Sequence, residues 1–198
     1  TQPVATSFAA SMEEALPQLL VGTALRVCDI AIDADTEFYQ INGSSVALTV
    51  FDIERIINGV ALLYENEINV TYELTTIVVR TANPDPYTST VYDTLLNEFK
   101  NEWNRNMLGV HRDIAHLMTG KNIDGNVIGV AYLDVICDSC TGVLGYGLSQ
   151  SRFSANLTSR ICLTAHEIGH NWGAGHCDGA SDCGLMCSIL GGCSQPCG

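Results

Sequence analysis

Apolar positions along the chain follow two rhythms, one of period two and one near 3.6, and the changeovers between them outline the fold. Residues 25–32 alternate as a strand, and residues 46–64 carry Val50, Ile53, Ile56, Ile57, Val60 and Leu63 at helical spacing. Residues 69–80 (NVTYELTTIVVR) are rich in β-branched side chains and read as a second strand, because such side chains suit a pleated surface. The run stops at Asn83-Pro84-Asp85-Pro86, where proline withholds the N–H that a ladder or helix needs. Beyond it Tyr92, Leu95, Leu96, Phe99 and Trp103 form the apolar stripe of a second amphipathic helix.

Two more strands are expected at residues 113–118 and 126–136, separated by the turn-like run from Gly120 to Gly125, and a short one at 145–149. A last helix starts near Ser154 or Asn156, whose side chains can cap it, and runs through Ile161, Ala165 and Ile168 to Gly173. Past that point Gly, Ser and Cys dominate and no periodicity survives. Strands alternating with helices predict an α/β (α+β) domain built on a mixed sheet. With 198 residues the expectation is one domain over 1–198, its upper part reaching about residue 173 and a small irregular part spanning 174–198.

Composition narrows the function. The net charge of −13 argues against nucleic acid, since a phosphate backbone would be repelled and no basic cluster offsets this. No run approaches the eighteen apolar residues of a membrane span, and the first twenty residues lack the basic start of a secretion signal, so the chain reads as mature and processed. Nine cysteines are placed unevenly: Cys28, Cys137 and Cys140, then Cys162, Cys177, Cys183, Cys187, Cys193 and Cys197. That density near one end predicts disulfides and an extracellular, oxidising compartment. An odd count leaves one thiol over, and Cys28, isolated in an apolar stretch, is the candidate. A structural zinc using Cys137-x-x-Cys140 is the alternative to disulfides there, and connectivity stays open.

The chemistry concentrates in His166-Glu167-Ile168-Gly169-His170-Asn171-Trp172-Gly173-Ala174-Gly175-His176, which holds three of the five histidines. Residues four apart share a helix face, so His166 and His170 can present imidazole nitrogens to one metal ion. Gly173 can take a left-handed conformation, end the helix and turn the chain so that His176 supplies a third ligand. Three ligands leave an open coordination position, and Glu167 beside it suits a general base for water better than a fourth ligand. Met186, in Gly184-Leu185-Met186-Cys187, reads as packing beneath the site, because a thioether is not an expected zinc ligand.

The pattern HExxHxxGxxH with a later methionine turn resembles the metzincin metallopeptidases. The stretch from His111 to Gly120, the segment Ile128-Gly129-Val130-Ala131-Tyr132-Leu133 and Cys137 are similar to the reprolysin or adamalysin branch, which includes snake-venom metalloproteinases and ADAM proteases. Residues 25–35 resemble that family's first strand, so the likeness covers most of residues 25–190. It implies a mostly parallel twisted sheet packed with helices, and a secreted, monomeric zinc endopeptidase acting on proteins or peptides. His166, His170 and His176 would bind one zinc, Glu167 would be the base and Met186 would form the methionine turn. Ile128 to Leu133 would be the sheet edge on which an extended substrate adds as an antiparallel strand, with Ile128, Gly129, Val130 and Ala131 binding it. Ser188, Ile189 and Leu190 would line the primary specificity pocket. Asp29 and Asp113 match acidic positions that bind calcium in some relatives, together with groups near a longer C-terminal tail. Cys177 departs from the pattern, standing where many relatives have aspartate directly after the third histidine, with Asp178 one place later. The rival reading is a metzincin-fold binding module that cleaves nothing, which the presence of Glu167 disfavours. A zinc hydrolase acting on non-peptide amides is a third.

Overall fold

The computed structural model describes residues 24–136, 144–180 and 183–190. Five strands form one sheet in the order β2-β1-β3-β5-β4, with β1 (Arg26–Ala34), β2 (Val70–Val79), β3 (Ile114–Thr119), β4 (Gly129–Ala131) and β5 (Tyr146–Gln150). Every pairing is parallel except that of β4 with β5, so the sheet ends in one short antiparallel edge strand. A sheet of this kind is covered on both faces. In β1 the even-numbered Ile30, Ile32 and Ala34 pack with Ile53, Ile56, Ile57 and Val60 and with Ala165 and Ile168, whereas Ala31 faces Leu95, Leu96, Phe99 and Trp103. The first group belongs to helices α2 (Val46–Ile68) and α4 (Leu157–Asn171), the second to α3 (Tyr92–Asn106).

The helix boundaries follow local chemistry. Ser45 caps α2 by accepting from the Leu48 N–H, and Asn69 ends it in the left-handed region, with φ 55°. Asn156 caps α4 by accepting from the Ser159 N–H, one of the two caps expected there. A short helix, α1 (Thr36–Ile41), was not anticipated. Its six residues are too few for a periodic signal, and it is started by Asp35, whose Oδ1 accepts from the Phe38 N–H.

The strand expected over 126–136 shrinks to Gly129–Ala131. The N–H groups of Asp134 and Val135 donate over 2.9 Å to His170 O and Asn171 O instead of joining a ladder. Asp134 adopts a positive φ of 58° as the chain bends away. The last helix likewise stops at Asn171, two residues before Gly173.

Two buried contacts and one half-buried contact seat α4. Arg160 forks onto Asp52 of α2, Nη1 to Oδ1 at 3.0 Å and Nη2 to Oδ2 at 2.5 Å. Tyr64 of α2 donates to Ala165 O at 2.8 Å. Gly59 lets Ile161 approach the α2 backbone, because a Cβ there would fall 2.8 Å from Ile161 Cγ1. On the opposite face the wholly buried Asp33 takes a bond from Tyr87 Oη at 2.6 Å, one from Trp103 Nε1 at 2.9 Å, and the Arg80 guanidinium at 2.8 Å. A buried carboxylate with that many donors is compensated for its lost hydration.

Cys28 is buried with a free thiol, and burial first, then Asp113 and Asp29, pushes its pKa up to about 12. Cys177 and Cys183 are joined, and Cys162 and Cys187 each take part in a disulfide. Cys137, Cys140, Cys193 and Cys197 lie outside the described residues, and with them the alternative cysteine-ligated zinc.

Candidate metal centre and substrate cleft

Helix α4 places His166 and His170 one turn apart on the same face, with ring centroids 4.7 Å from each other. The chain then turns back at Gly173, where φ is +89° and the N–H returns to His170 O. Ala174 N donates to Gly169 O at 3.0 Å and completes a glycine-type helix stop. The turn delivers the His176 ring to 5.2 Å from His166 and 4.8 Å from His170. The donor nitrogens of all three lie within 4.8 Å of one another.

Second contacts set which nitrogen faces inward. His166 Nδ1 meets Leu185 O at 2.8 Å, and His170 Nδ1 meets Ala174 O at 2.7 Å. A carbonyl can only accept, so each Nδ1 carries the proton and each Nε2 keeps its lone pair for a metal. His166 Nε2 and His176 Nε2 are 3.2 Å apart. Two ligands at zinc–nitrogen distances of about 2.0–2.1 Å and a tetrahedral angle stand about 3.3 Å apart, so the donor set fits zinc. Burial lowers the pKa of both His166 and His170, which favours the neutral, ligating form.

Glu167 is 4% exposed, and burial lifts its pKa to about 8. Its carboxylate lies against β4 at Gly129, where a Cβ would fall 2.7 Å from Glu167 Cδ. Met186 sits in a 3₁₀ turn (Gly184–Met186) and packs on the helix at Gly169, where a Cβ would approach its Sδ to 2.6 Å. The turn also carries the Leu185 carbonyl that holds His166.

A cleft of about 550 Å³ runs along β4 and is lined by Ile128, Gly129, Val130 and Ala131 on one side and by the three histidines, Glu167, Ser188 and Leu190 on the other. Ile189 is 69% exposed and does not line it. Tyr92, Leu163 and Leu133 also line it. Tyr92 and Leu163 carried no signal in the sequence, since each reads as part of an ordinary helical stripe, whereas Leu133 closes the edge segment that the resemblance implied. Asp29 and Asp113 sit elsewhere: Asp113 Oδ2 accepts from the Asp29 N–H at 2.8 Å, and Asp29 Oδ2 pairs with His111 Nε2 at 2.6 Å. Among the described residues they join no cluster of three potential ligands.

The departure at Cys177 is absorbed locally. Its disulfide to Cys183 closes the loop behind His176, its N–H donates to Met186 O at 3.3 Å, and Asp178 Oδ1 accepts from the Ser188 N–H at 2.7 Å. Asp178, one place late, still ties the loop to the segment after the methionine turn.

Comparison with known proteins agrees with this geometry. A family model described as metallo-peptidase family M12, of reprolysin type, matches residues 24–197. Zinc metalloproteinase recombinant fibrinogenase II of Deinagkistrodon acutus is 36% identical over 106 residues, which is 52% of this chain and 43% of that protein. This chain therefore spans less than half the length of that relative. A solved structure titled as a chaperone–substrate complex superposes with a TM-score of 0.61 at 14% identity, over 84% of this chain and 28% of that one, and shows the fold alone. The chain belongs to the reprolysin-type metallopeptidases of family M12, with the metzincin fold.

Proposed function

We propose that this domain is a secreted zinc endopeptidase, with His166, His170 and His176 as the metal ligands and Glu167 as the general base. The observation that carries the reading is the convergence of three imidazoles, two of them oriented by backbone carbonyls, and one buried carboxylate on a cleft walled by the outermost strand of the described sheet. Zinc held there supplies Lewis acidity toward a peptide carbonyl and lowers the pKa of water. β4 offers the edge that pairs with no strand among the described residues to an extended peptide, which adds as an antiparallel strand. Glu167, held beside that edge, accepts the proton of the attacking water and returns it to the leaving amine. Ser188 and Leu190, with Leu163, shape the pocket for the adjoining side chain.

Residues 174–190, cross-linked through Cys177 and Cys183, act as a small lower lobe of the same domain. The relative is a protein named as a fibrinogenase, which is compatible with a protein substrate here. The disulfides favour an oxidising, extracellular compartment.

The test is casein digestion by the purified, zinc-loaded chain with and without 1,10-phenanthroline, alongside Glu167→Ala. Cleavage abolished by chelator and by Glu167→Ala, with zinc retained in the variant, is the expected result. Undiminished turnover by Glu167→Ala sinks the assignment of the base, and zinc binding without cleavage by the wild type favours a binding module.

A further inference from the structure

Asn171 follows His170 at the end of α4, and it is 1% exposed. Its Nδ2 donates to two carbonyls at once, Tyr132 O at 2.9 Å, just past β4, and Tyr146 O at 3.2 Å, at the start of β5. Both acceptors are carbonyls, so one amide orientation is available and Oδ1 faces the other way. The backbone of the same turn accepts from Asp134 and Val135. One helix turn thus bolts the far end of the docking edge to the segment that carries His170.

Two of the buried polar atoms without a partner among the described residues lie here: Asn171 Oδ1 and Nδ1 of His116, a wholly buried side chain of β3. His116 Nε2 meets Ser149 Oγ at 2.8 Å. Burial depresses the His116 pKa to about 3, so the ring is neutral with a single N–H. Whichever of Nε2 and the Ser149 hydroxyl donates, Nδ1 is left as one donor or acceptor without a partner. Gly147 of β5 borders both atoms: a Cβ there would lie 3.2 Å from His116 Nδ1 and 3.5 Å from Asn171 Oδ1. Two unpaired polar atoms flank one patch of backbone without a side chain, a polar setting in which buried water recurs, and a water that donates to Oδ1 can either donate to or accept from Nδ1.

We propose that Asn171 is a positioning residue for peptide cleavage, and that a buried water bridging its Oδ1 to His116 Nδ1 holds the amide against the Tyr132 and Tyr146 carbonyls. This rests on the reading of the cleft as a peptidase site. Asn171 touches no part of the substrate. It acts through the separation of β4 from α4, which sets how a docked peptide lies against Glu167.

Asn171→Asp keeps the shape and the Oδ1 acceptor but turns the donor into a second acceptor facing two carbonyls. At 20 °C, on a quenched fluorescent peptide, its kcat is expected to fall by about ten- to a hundredfold, the range that misplacement of up to 1 Å produces. Bound zinc, measured by mass spectrometry, should be unchanged. A merely structural role lowers Tm and leaves kcat below the transition untouched, so unchanged kcat in Asn171→Asp overturns the proposal. If that variant does not fold, Gly147→Ala decides. It retains every donor and acceptor while filling the patch, and its kcat should drop while zinc stays bound. A crystal structure of the zinc-loaded wild type should show a water within hydrogen-bond distance of both atoms. No such water, with wild-type kcat in Gly147→Ala, overturns the bridge. A wild type that loads zinc but cleaves no peptide overturns the peptidase reading as well, whereas an active wild type with an equally active Asn171→Asp overturns this inference alone.

Discussion

Gly129→Ala isolates the contact between the sheet edge and the buried carboxylate. The Gly129 backbone lies outside the left-handed region, so alanine meets no strain there, and the whole effect comes from its methyl group. That methyl would stand 2.7 Å from Glu167 Cδ and 2.8 Å from Cγ, nearer still to Oε1. Carbon atoms in ordinary contact lie about 3.5–4.0 Å apart, so the overlap is close to 1 Å. β4 cannot easily retreat, because Gly129, Val130 and Ala131 are paired with Ser149, Leu148 and Gly147 of β5. The side chain of Glu167 must therefore give way. Displacing a reacting group by about 1 Å costs on the order of a hundredfold in rate, equivalent to about 2.7 kcal/mol of barrier, while overpacking costs about 1–3 kcal/mol of stability. The assay is kcat on a fluorogenic peptide, zinc content and Tm, with Gly109→Ala as the control, since a methyl there meets nothing within 4 Å. A Gly129→Ala variant with full zinc and kcat within about twofold of wild type would refute the argument that this glycine leaves the room Glu167 needs in its proposed role.

His170→Ala should bind zinc at least tenfold more weakly, read by competition with a chromogenic chelator, because His166 and His176 alone cannot close the site. Chelation should lower the wild-type Tm and zinc should restore it, since a ligand bound only by the folded state stabilises it by mass action; a Tm indifferent to metal would count against a formed site. Asp52→Ala strands the Arg160 guanidinium, 2% exposed in its side chain, and should cost about 3–5 kcal/mol in urea unfolding; a loss under about 1 kcal/mol would show the pair to be dispensable. For pH, His116 has its folded pKa depressed to about 3 from 6.5 by burial, so its contribution is complete above pH 6.5 and is lost as pH falls toward 3. Asp35, raised to about 6 by burial, runs the other way, with its contribution lost as pH rises from 3.8 through 6. His116→Asn should therefore lose less stability than wild type on acidification from pH 6.5, by about 1.4 kcal/mol per unit at most, and equal slopes in urea titrations would refute the burial argument.

Much of this was readable in the residues because it is local. The strands at 26–34 and 70–79, the helices containing Ile53 to Val60 and Leu95 to Trp103, and the Asn156 cap all follow from short-range periodicity and side-chain chemistry. The exceptions share a cause. The strand expected over 126–136 looks extended, yet its second half gives its N–H groups to the end of α4, a partner more than thirty residues away. Helix α1 is invisible to periodicity at six residues. Ile189, next to two cleft residues in sequence, points into solvent because a loop need not keep neighbours on one face.

The spacing of His166, Glu167, His170, Gly173 and His176 by itself specified a three-imidazole site, since helical geometry and a glycine stop act over a few residues. The tertiary structure alone brought Leu185 O to His166, Gly129 to Glu167, and Asn171 to the Tyr132 and Tyr146 carbonyls. Those contacts join segments far apart in the chain, and their distances depend on how helix α4 seats against the sheet through Asp52, Tyr64 and Gly59. Sequence spacing sets which atoms can meet within one turn. Packing of the whole core sets how far the Glu167 carboxyl stands from the edge of β4.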